Sequence, residues 1–115
     1  MADLKLKLQL MHQGEIAMGP GKAELLDAIE ATGSISAAAR SMGMSYRRAW
    51  LLVDAMNRCF AEPLVETHPG GGKQAGAQLT EAGKRAREAY EALVEMAEAG
   101  ADGIALSALT RMLKD

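Results

Sequence analysis

The stretch GSISAAARSMGMSYRRAWLLVDAMN, Gly33 to Asn57, decides how this chain is read. Ser34 stands where a hydroxyl can cap a helix, and Ile35, Ala38, Ala39 and Met42 then fall on one face before Gly43 breaks the run. Ser45 repeats the arrangement as the cap of a longer helix, whose buried stripe is Ala49, Val53, Met56 and Phe60. A short capped helix, a glycine turn and a longer second helix are the physical requirements of a helix-turn-helix. The alanines of the first helix permit the close packing that the arrangement needs.

The second helix is then the reading element. Its stripe leaves Tyr46, Arg47, Arg48, Trp50, Leu51 and Asp54 off the buried side, and those nearest its start can enter the major groove of double-stranded DNA. Arg47 and Arg48 are the candidates for base or phosphate contacts, because a guanidinium pairs bidentately with guanine. Tyr46 can donate to a phosphate, and Trp50 can press on a sugar or a thymine methyl. The bland alternative for the aromatic pair is that two residues four apart on a helix pack on each other or on the first hairpin. For the arginines it is an exposed helix start with no partner.

Upstream, Leu4, Leu6, Leu8 and Leu10 alternate with Lys5, Lys7 and Gln9, the period of a strand with one buried face. Gly14 allows a reversal into a second short strand over Glu15 to Met18. Gly19-Pro20-Gly21 stops the hairpin, and Pro20 opens a helix with Leu25, Leu26 and Ile29 at helical spacing, ended by Gly33. Downstream of Pro63, Leu64 to Thr67 reads as a strand and Ala77 to Leu79 as its return partner. The intervening HPGGGKQAG, residues 68–76, reads as a mobile hairpin tip, a wing that places Lys73 to meet a phosphate or a minor groove. A P-loop is excluded there, since Gln74 follows Lys73 where Ser or Thr is required, and Ala23 follows Lys22 likewise.

Thr80 caps a long final helix, ended by Gly100, in which Ala82, Ala86, Ala89, Tyr90, Leu93 and Ala97 form an apolar stripe. So long a stripe exceeds what a small body can cover, which predicts a homodimer with Ala86, Tyr90, Leu93 and Ala97 at the interface. A last amphipathic piece with Ile104, Leu109, Met112 and Leu113 is expected to pack on the body or on a partner chain. The fold class is therefore mainly α with small β (α+β), a winged helix-turn-helix with an N-terminal hairpin, a Gly-rich wing and a long C-terminal dimerisation helix. Residues 1–100 form the DNA-binding and dimerisation domain and 101–115 a short tail.

At 115 residues, 49% of them hydrophobic, the chain holds one domain with a real core and no room for a catalytic or sensor domain. No run approaches the ~18 apolar residues of a membrane span, and no signal stretch opens the sequence, so the expected location is cytoplasmic with no membrane partner. Cys59, His12 and His68 offer neither a disulfide nor zinc-ligand spacing, so no metal or cofactor is expected. Cys59, late in the reading helix beside Phe60, reads as a structural thiol, and an enzyme is not expected. The net charge of −2 argues against a nucleic-acid partner until its distribution is considered. Residues 40–58 carry Arg40, Arg47, Arg48 and Arg58 against Asp54, whereas residues 81–102 carry twice as many acids as bases. One face is basic and another acidic, which suits DNA on one side. The alternative is a winged-helix protein-interaction module without DNA binding.

Two segments in combination, GSISAAARSMGMSYRRAW and LVETHPGGGKQAGAQLT, closely resemble the N-terminal DNA-binding domain of ModE-type molybdate-responsive transcriptional regulators. The resemblance runs from about Leu4 to Leu93, and LysR-type regulators share a looser version of it. It implies a winged helix whose long final helix pairs two subunits, with Ser45, Tyr46, Arg47, Arg48 and Trp50 in the DNA-reading position and the wing on the flanking groove. Full-length members of that family continue into molybdate-binding domains, whereas this sequence stops at Asp115. Molybdate binding by this chain is therefore not expected.

Overall fold

A computed structural model describes residues 2–68 and 76–115. The element order is β1 (Leu10–His12), β2 (Glu15–Met18), α1 (Pro20–Thr32), α2 (Ile35–Ser41), α3 (Tyr46–Cys59), β3 (Val65–His68), β4 (Gly76–Leu79), α4 (Glu81–Ala101) and α5 (Ile104–Arg111). Helices α1, α2 and α3 enclose the core, with the β3–β4 hairpin packed against α1 and the base of α4.

The chain enters through a tight hairpin. Gln13 and Gly14 both take positive φ, 50° and 80°, the backbone that a two-residue turn needs if it is to match the twist of its strands. The leucine alternation does not produce the long strand it predicts. Only Leu10 of the four joins β1, the register shifts between Leu10 and Met11, and residues 2–9 form no strand. Leu6 and Leu8 are half-buried while Leu4 and Leu10 stay exposed. The reason is that β2 is too short to pair so long a partner, and the leading segment lies against α4 instead, where Tyr90 Oη donates to the Leu8 carbonyl at 2.8 Å.

Each core helix starts and stops where a specific residue satisfies its end. Pro20 opens α1 at a position where no intrahelical donor is needed, and Gly33, at φ 78°, donates its N–H to the Ile29 carbonyl at 2.7 Å. Ser34 and Ser45 cap α2 and α3, accepting from Ala37 N and Arg48 N at 2.9 and 3.1 Å. Thr80 caps α4, accepting from Gly83 N at 3.0 Å. Leu25, Leu26 and Ile29 of α1, Ala38 of α2, Ala49, Val53 and Met56 of α3, and Leu64 form the fully buried centre. Phe60 stands just past α3 in extended backbone and is half-buried, so it closes the stripe from outside the helix.

The second hairpin is antiparallel in the register Val65↔Leu79, Glu66↔Gln78, Thr67↔Ala77 and His68↔Gly76. Both strands run one residue nearer the tip than the sequence pattern suggests. Asn57 of α3 sets that register: its Oδ1 accepts from Leu64 N and Val65 N at 2.8 and 3.2 Å, and its Nδ2 donates to the Val65 carbonyl at 3.0 Å. A side chain thus supplies the hydrogen bonds that the first turn of the strand would otherwise lack.

One expectation for the C-terminal part is corrected. Gly100 does not end α4, which continues to Ala101 and is closed by Asp102, because a solvent-exposed glycine costs a helix only about 1 kcal/mol and requires no stop. No residue of α5 is fully buried, although Leu106 is half-buried and Thr110, Arg111 and Leu113 line a pocket with Ala2 of the leading segment. The molecule is accordingly elongated, 57 × 30 × 23 Å. No helix among the described residues is long and apolar enough to cross a membrane, and no group of three metal-ligating side chains occurs among them.

Candidate DNA-binding interface

The turn between α2 and α3 makes one surface of the molecule. Gly43, at φ 68°, reverses the chain, and Met44 N returns to the Ala39 carbonyl at 3.0 Å. Because Ala49, Val53 and Met56 face inward, Ser45, Tyr46, Arg47, Arg48, Trp50 and Leu51 all lie on the exposed side of α3. Arg47 and Arg48 therefore project from the first turn of α3 and enter no ion pair among the described residues. The start of a helix presents unpaired backbone N–H groups, so these two cations stand where an anion is already favoured.

Tyr46 and Trp50 meet edge to face, with ring centroids 6.3 Å apart and planes at 79°. Their packing does not withdraw them from solvent: Tyr46 is 54% and Trp50 36% exposed. Together they form one wall of a groove of about 280 Å³ whose other walls are Ser36 of α2 and Thr67, His68 and Gly76 at the root of the second hairpin. The groove runs between α3 and the root of the second hairpin. At its far side Ala77 N donates to the Gly33 carbonyl at 2.9 Å, and a side chain at Gly76 would fall on that same carbonyl. Glycine is required there for the hairpin to lie this close to the α1–α2 junction.

The basic stretch is less basic than its sequence suggests. Arg58 is held by Glu15 and Asp54, which leaves Arg40, Arg47 and Arg48 on the reading side, and Arg40 leans on Ser36 Oγ at 3.4 Å. The hydrogen bonds from Arg58 hold the Glu15 carboxyl below the usual carboxylate value and the guanidinium above its own. Burial pushes the Cys59 thiol up, and its Sγ lies 3.7 Å from Glu15 Oε2. The thiol is half-buried, and the upward shift disfavours its thiolate. Lys22, which the sequence raises only as a dismissed P-loop lysine, is 9% exposed, and burial lowers its pKa. Only its position in the first turn of α1, next to the hairpin, could have drawn attention to it.

The remaining predicted residues separate into three groups. Lys73 lies outside the described residues, so the wing contact rests on the sequence alone. Ala86 and Tyr90 of the α4 stripe are half-buried and packed on the core of their own chain. Leu93, 51% exposed, faces outward, and Ala97 beyond it is half-buried. The exposed apolar part of α4 therefore lies further along the helix than its apolar period indicates, at Leu93 and Met96, while Tyr90 is tied to the leading segment of its own chain.

The sequence profile of the LysR-family bacterial regulatory helix-turn-helix proteins matches residues 21–84, which span α1 to the first turn of α4. The chain belongs to that family of bacterial regulatory helix-turn-helix proteins. It is 51% identical over 76 residues to the molybdenum-pterin-binding protein MopB of Rhodobacter capsulatus, covering 66% of this chain and 28% of that protein. It is also 35% identical over 101 residues to the DNA-binding transcriptional dual regulator ModE of Escherichia coli (strain K12), covering 88% of this chain and 38% of that one. The chain thus spans well under half the length of the curated relatives it matches. Its fold is shared with the DNA-binding domain in the crystal structure of the CbnR_DBD–DNA complex, at a TM-score of 0.54 and 22% identity over 71% of this chain and 88% of that one.

Proposed function

We propose that this chain is the DNA-binding part of a ModE-type transcriptional regulator, which reads an inverted-repeat operator as a homodimer in the cytoplasm and catalyses no reaction. The observation that carries the reading is the exposed first turn of α3, where Arg47 and Arg48 enter no ion pair among the described residues and stand beside a groove that leads to the root of the second hairpin. Arg47 and Arg48 reach base edges, Tyr46, Trp50 and Ser45 adjoin the sugar-phosphate strand, and Lys73 meets a phosphate from the wing. Leu93 and Ala97 on the outer half of α4 pair the two subunits. Residues 1–100 constitute the working domain and 101–115 an appendage.

Mobility shift across a salt series tests the central claim. DNA binding weakens linearly in log–log form with a slope set by the number of phosphates neutralised. Retention of fold with no shift on any DNA would favour a protein-interaction module instead.

Molybdate sensing is assigned elsewhere than to this chain. A tetrahedral oxyanion needs several converging donors, and the hydroxyls of Ser34, Ser45 and Thr80 are already committed to helix caps. Titration calorimetry with molybdate is expected to show no saturable site tighter than about 10 micromolar, equivalent to roughly 7 kcal/mol.

A further inference from the structure

The groove beside the reading helix holds a side chain that changes charge near neutral pH. Thr67 and His68 at the root of the second hairpin face Tyr46 and Trp50 across it, with Ser36 on a third side. Hydroxyls and aromatic faces in one groove suit a sugar-phosphate strand, which takes hydrogen bonds at its phosphates and apolar contact at its sugars. Arginine and lysine bring fixed positive charge to such a strand, whereas an imidazole gains its charge only between about pH 5 and 8.

Two neighbours on the hairpin constrain that imidazole. Glu66 and His68 stand two apart on β3 and so share a face, and Gln78 lies opposite Glu66 in the ladder. Gln78 Nε2 donates to Glu66 Oε1 at 2.9 Å, which fixes the amide, since only its NH2 end can face a carboxylate. The same NH2 group is 3.4 Å from His68 Nε2. A neutral ring with its proton on Nδ1 accepts there. A protonated ring cannot, because its Nε2 then carries a proton that meets another donor.

Protonation therefore releases the ring from Gln78 toward an acceptor. Among the described residues Glu66 is the one acid within 4 Å, with Oε1 3.8 Å from Nε2. From the other elements, α3 presents the Tyr46 phenol, α2 presents Ser36 with Arg40 leaning on its Oγ, and β4 presents the neutral Gln78 and Gly76. While the ring is neutral, the Glu66 carboxylate is an uncompensated negative charge beside the groove and repels a phosphate. Once the ring is charged, it either cancels Glu66 or meets the phosphate itself, and both favour DNA.

We infer that His68 is a proton-coupled DNA contact, whose imidazolium turns from Gln78 toward the phosphate strand in the groove, so that each subunit takes up a proton on binding. The inference rests on the DNA-binding reading above. Its sign is fixed: the bound state holds the proton more tightly, so affinity falls as pH rises through the imidazole range.

Calorimetry of the full chain tests it, with a duplex that the wild type selects from random-sequence DNA. Titrations at constant salt in Hepes and in Tris, whose heats of ionisation differ, count the protons exchanged. Uptake of up to about one proton per subunit is expected, with affinity falling at least about threefold from about pH 6 to about pH 8. His68→Gln, whose amide hydrogen-bonds but does not titrate, is expected to lose the uptake and flatten the profile. His12→Gln, on β1 of the other hairpin, is expected to keep both. A His68→Gln protein that retains the uptake and the pH dependence, or a wild type whose affinity is flat across this range, overturns the proton coupling and leaves the DNA-binding reading standing. A wild type that binds no DNA at any pH overturns both.

Discussion

Arg58 on α3 forks both oxygens of Glu15 on β2, with Nη1 3.0 Å from Oε2 and Nη2 2.9 Å from Oε1, while its Nε is held by Asp54 Oδ2 at 2.8 Å. The pair pins the first hairpin to the end of the reading helix and withdraws one arginine from the basic stretch. Arg58→Ala is therefore expected to leave the salt slope of DNA binding unchanged. A slope reduced by about one, the signature of a lost phosphate contact, would show that Arg58 leaves its acids to meet DNA.

The same pair predicts a pH signature. Glu15 is held below its ordinary value of 4.5, so its contribution to stability is fully present above that value and is lost as pH falls through the depressed one. Glu15→Gln is expected to be less stable than the wild type at neutral pH, with the gap closing on the acid side. Denaturant melts at several pH values measure the gap, and a constant difference down to pH about 3 would contradict the assignment.

Asn57→Ala removes three hydrogen bonds at once and strands the N–H groups of Leu64 and Val65. A loss of about 1 to 3 kcal/mol is expected from unpaired, partly buried backbone groups. Chemical denaturation reads it directly, and amide exchange in β3 should rise more than exchange in α1.

Gly83→Ala separates sterics from helix propensity. In an open helix alanine would gain about 1 kcal/mol over glycine. Here the new Cβ would fall on the Leu64 carbonyl, whose oxygen is fixed by Thr80 N at 2.9 Å and cannot retreat without losing that bond. Overpacking of about 1 to 3 kcal/mol outweighs the gain, so a lowered melting temperature is expected. A stabilised variant would mean that α4 slides easily along the strand.

Arg47→Ala and Arg48→Ala are each expected to cost about 1 to 3 kcal/mol on the operator, with folding intact. Lys73→Ala should instead lower affinity alike on all sequences and reduce the salt slope by about one. Wild-type affinity in both arginine variants would mean that another face of α3 meets the DNA.

Tyr90→Phe removes the hydroxyl bond to the Leu8 carbonyl, worth about 0.5 to 1.5 kcal/mol, from a residue that the apolar period assigns to the dimer. Faster amide exchange in residues 2–9 with an unchanged dimer constant is the expected result. A weakened dimer without faster exchange would return Tyr90 to the interface.

The helix-turn-helix was legible in the sequence because its determinants are local. Ser34, Ser45 and Thr80 cap within four residues of where they stand, Gly33 and Gly43 supply backbone that few other residues adopt, and the inward stripe of α3 repeats with the helix period. The exposure of Arg47 and Arg48 follows from that stripe. What the tertiary structure alone decided depends on residues far apart in the chain. Arg58 finds Glu15 across 43 positions and Tyr90 finds Leu8 across 82, and no periodicity encodes either meeting. Hence an arginine counted as free is paired, a tyrosine read from the apolar period also bonds the leading segment of its own chain, and a leucine alternation that promised a long strand becomes a strap on α4. Local hydrogen bonding and amphipathic period act within a few residues and can be read along a line, whereas pairing and burial depend on which surfaces the fold brings together.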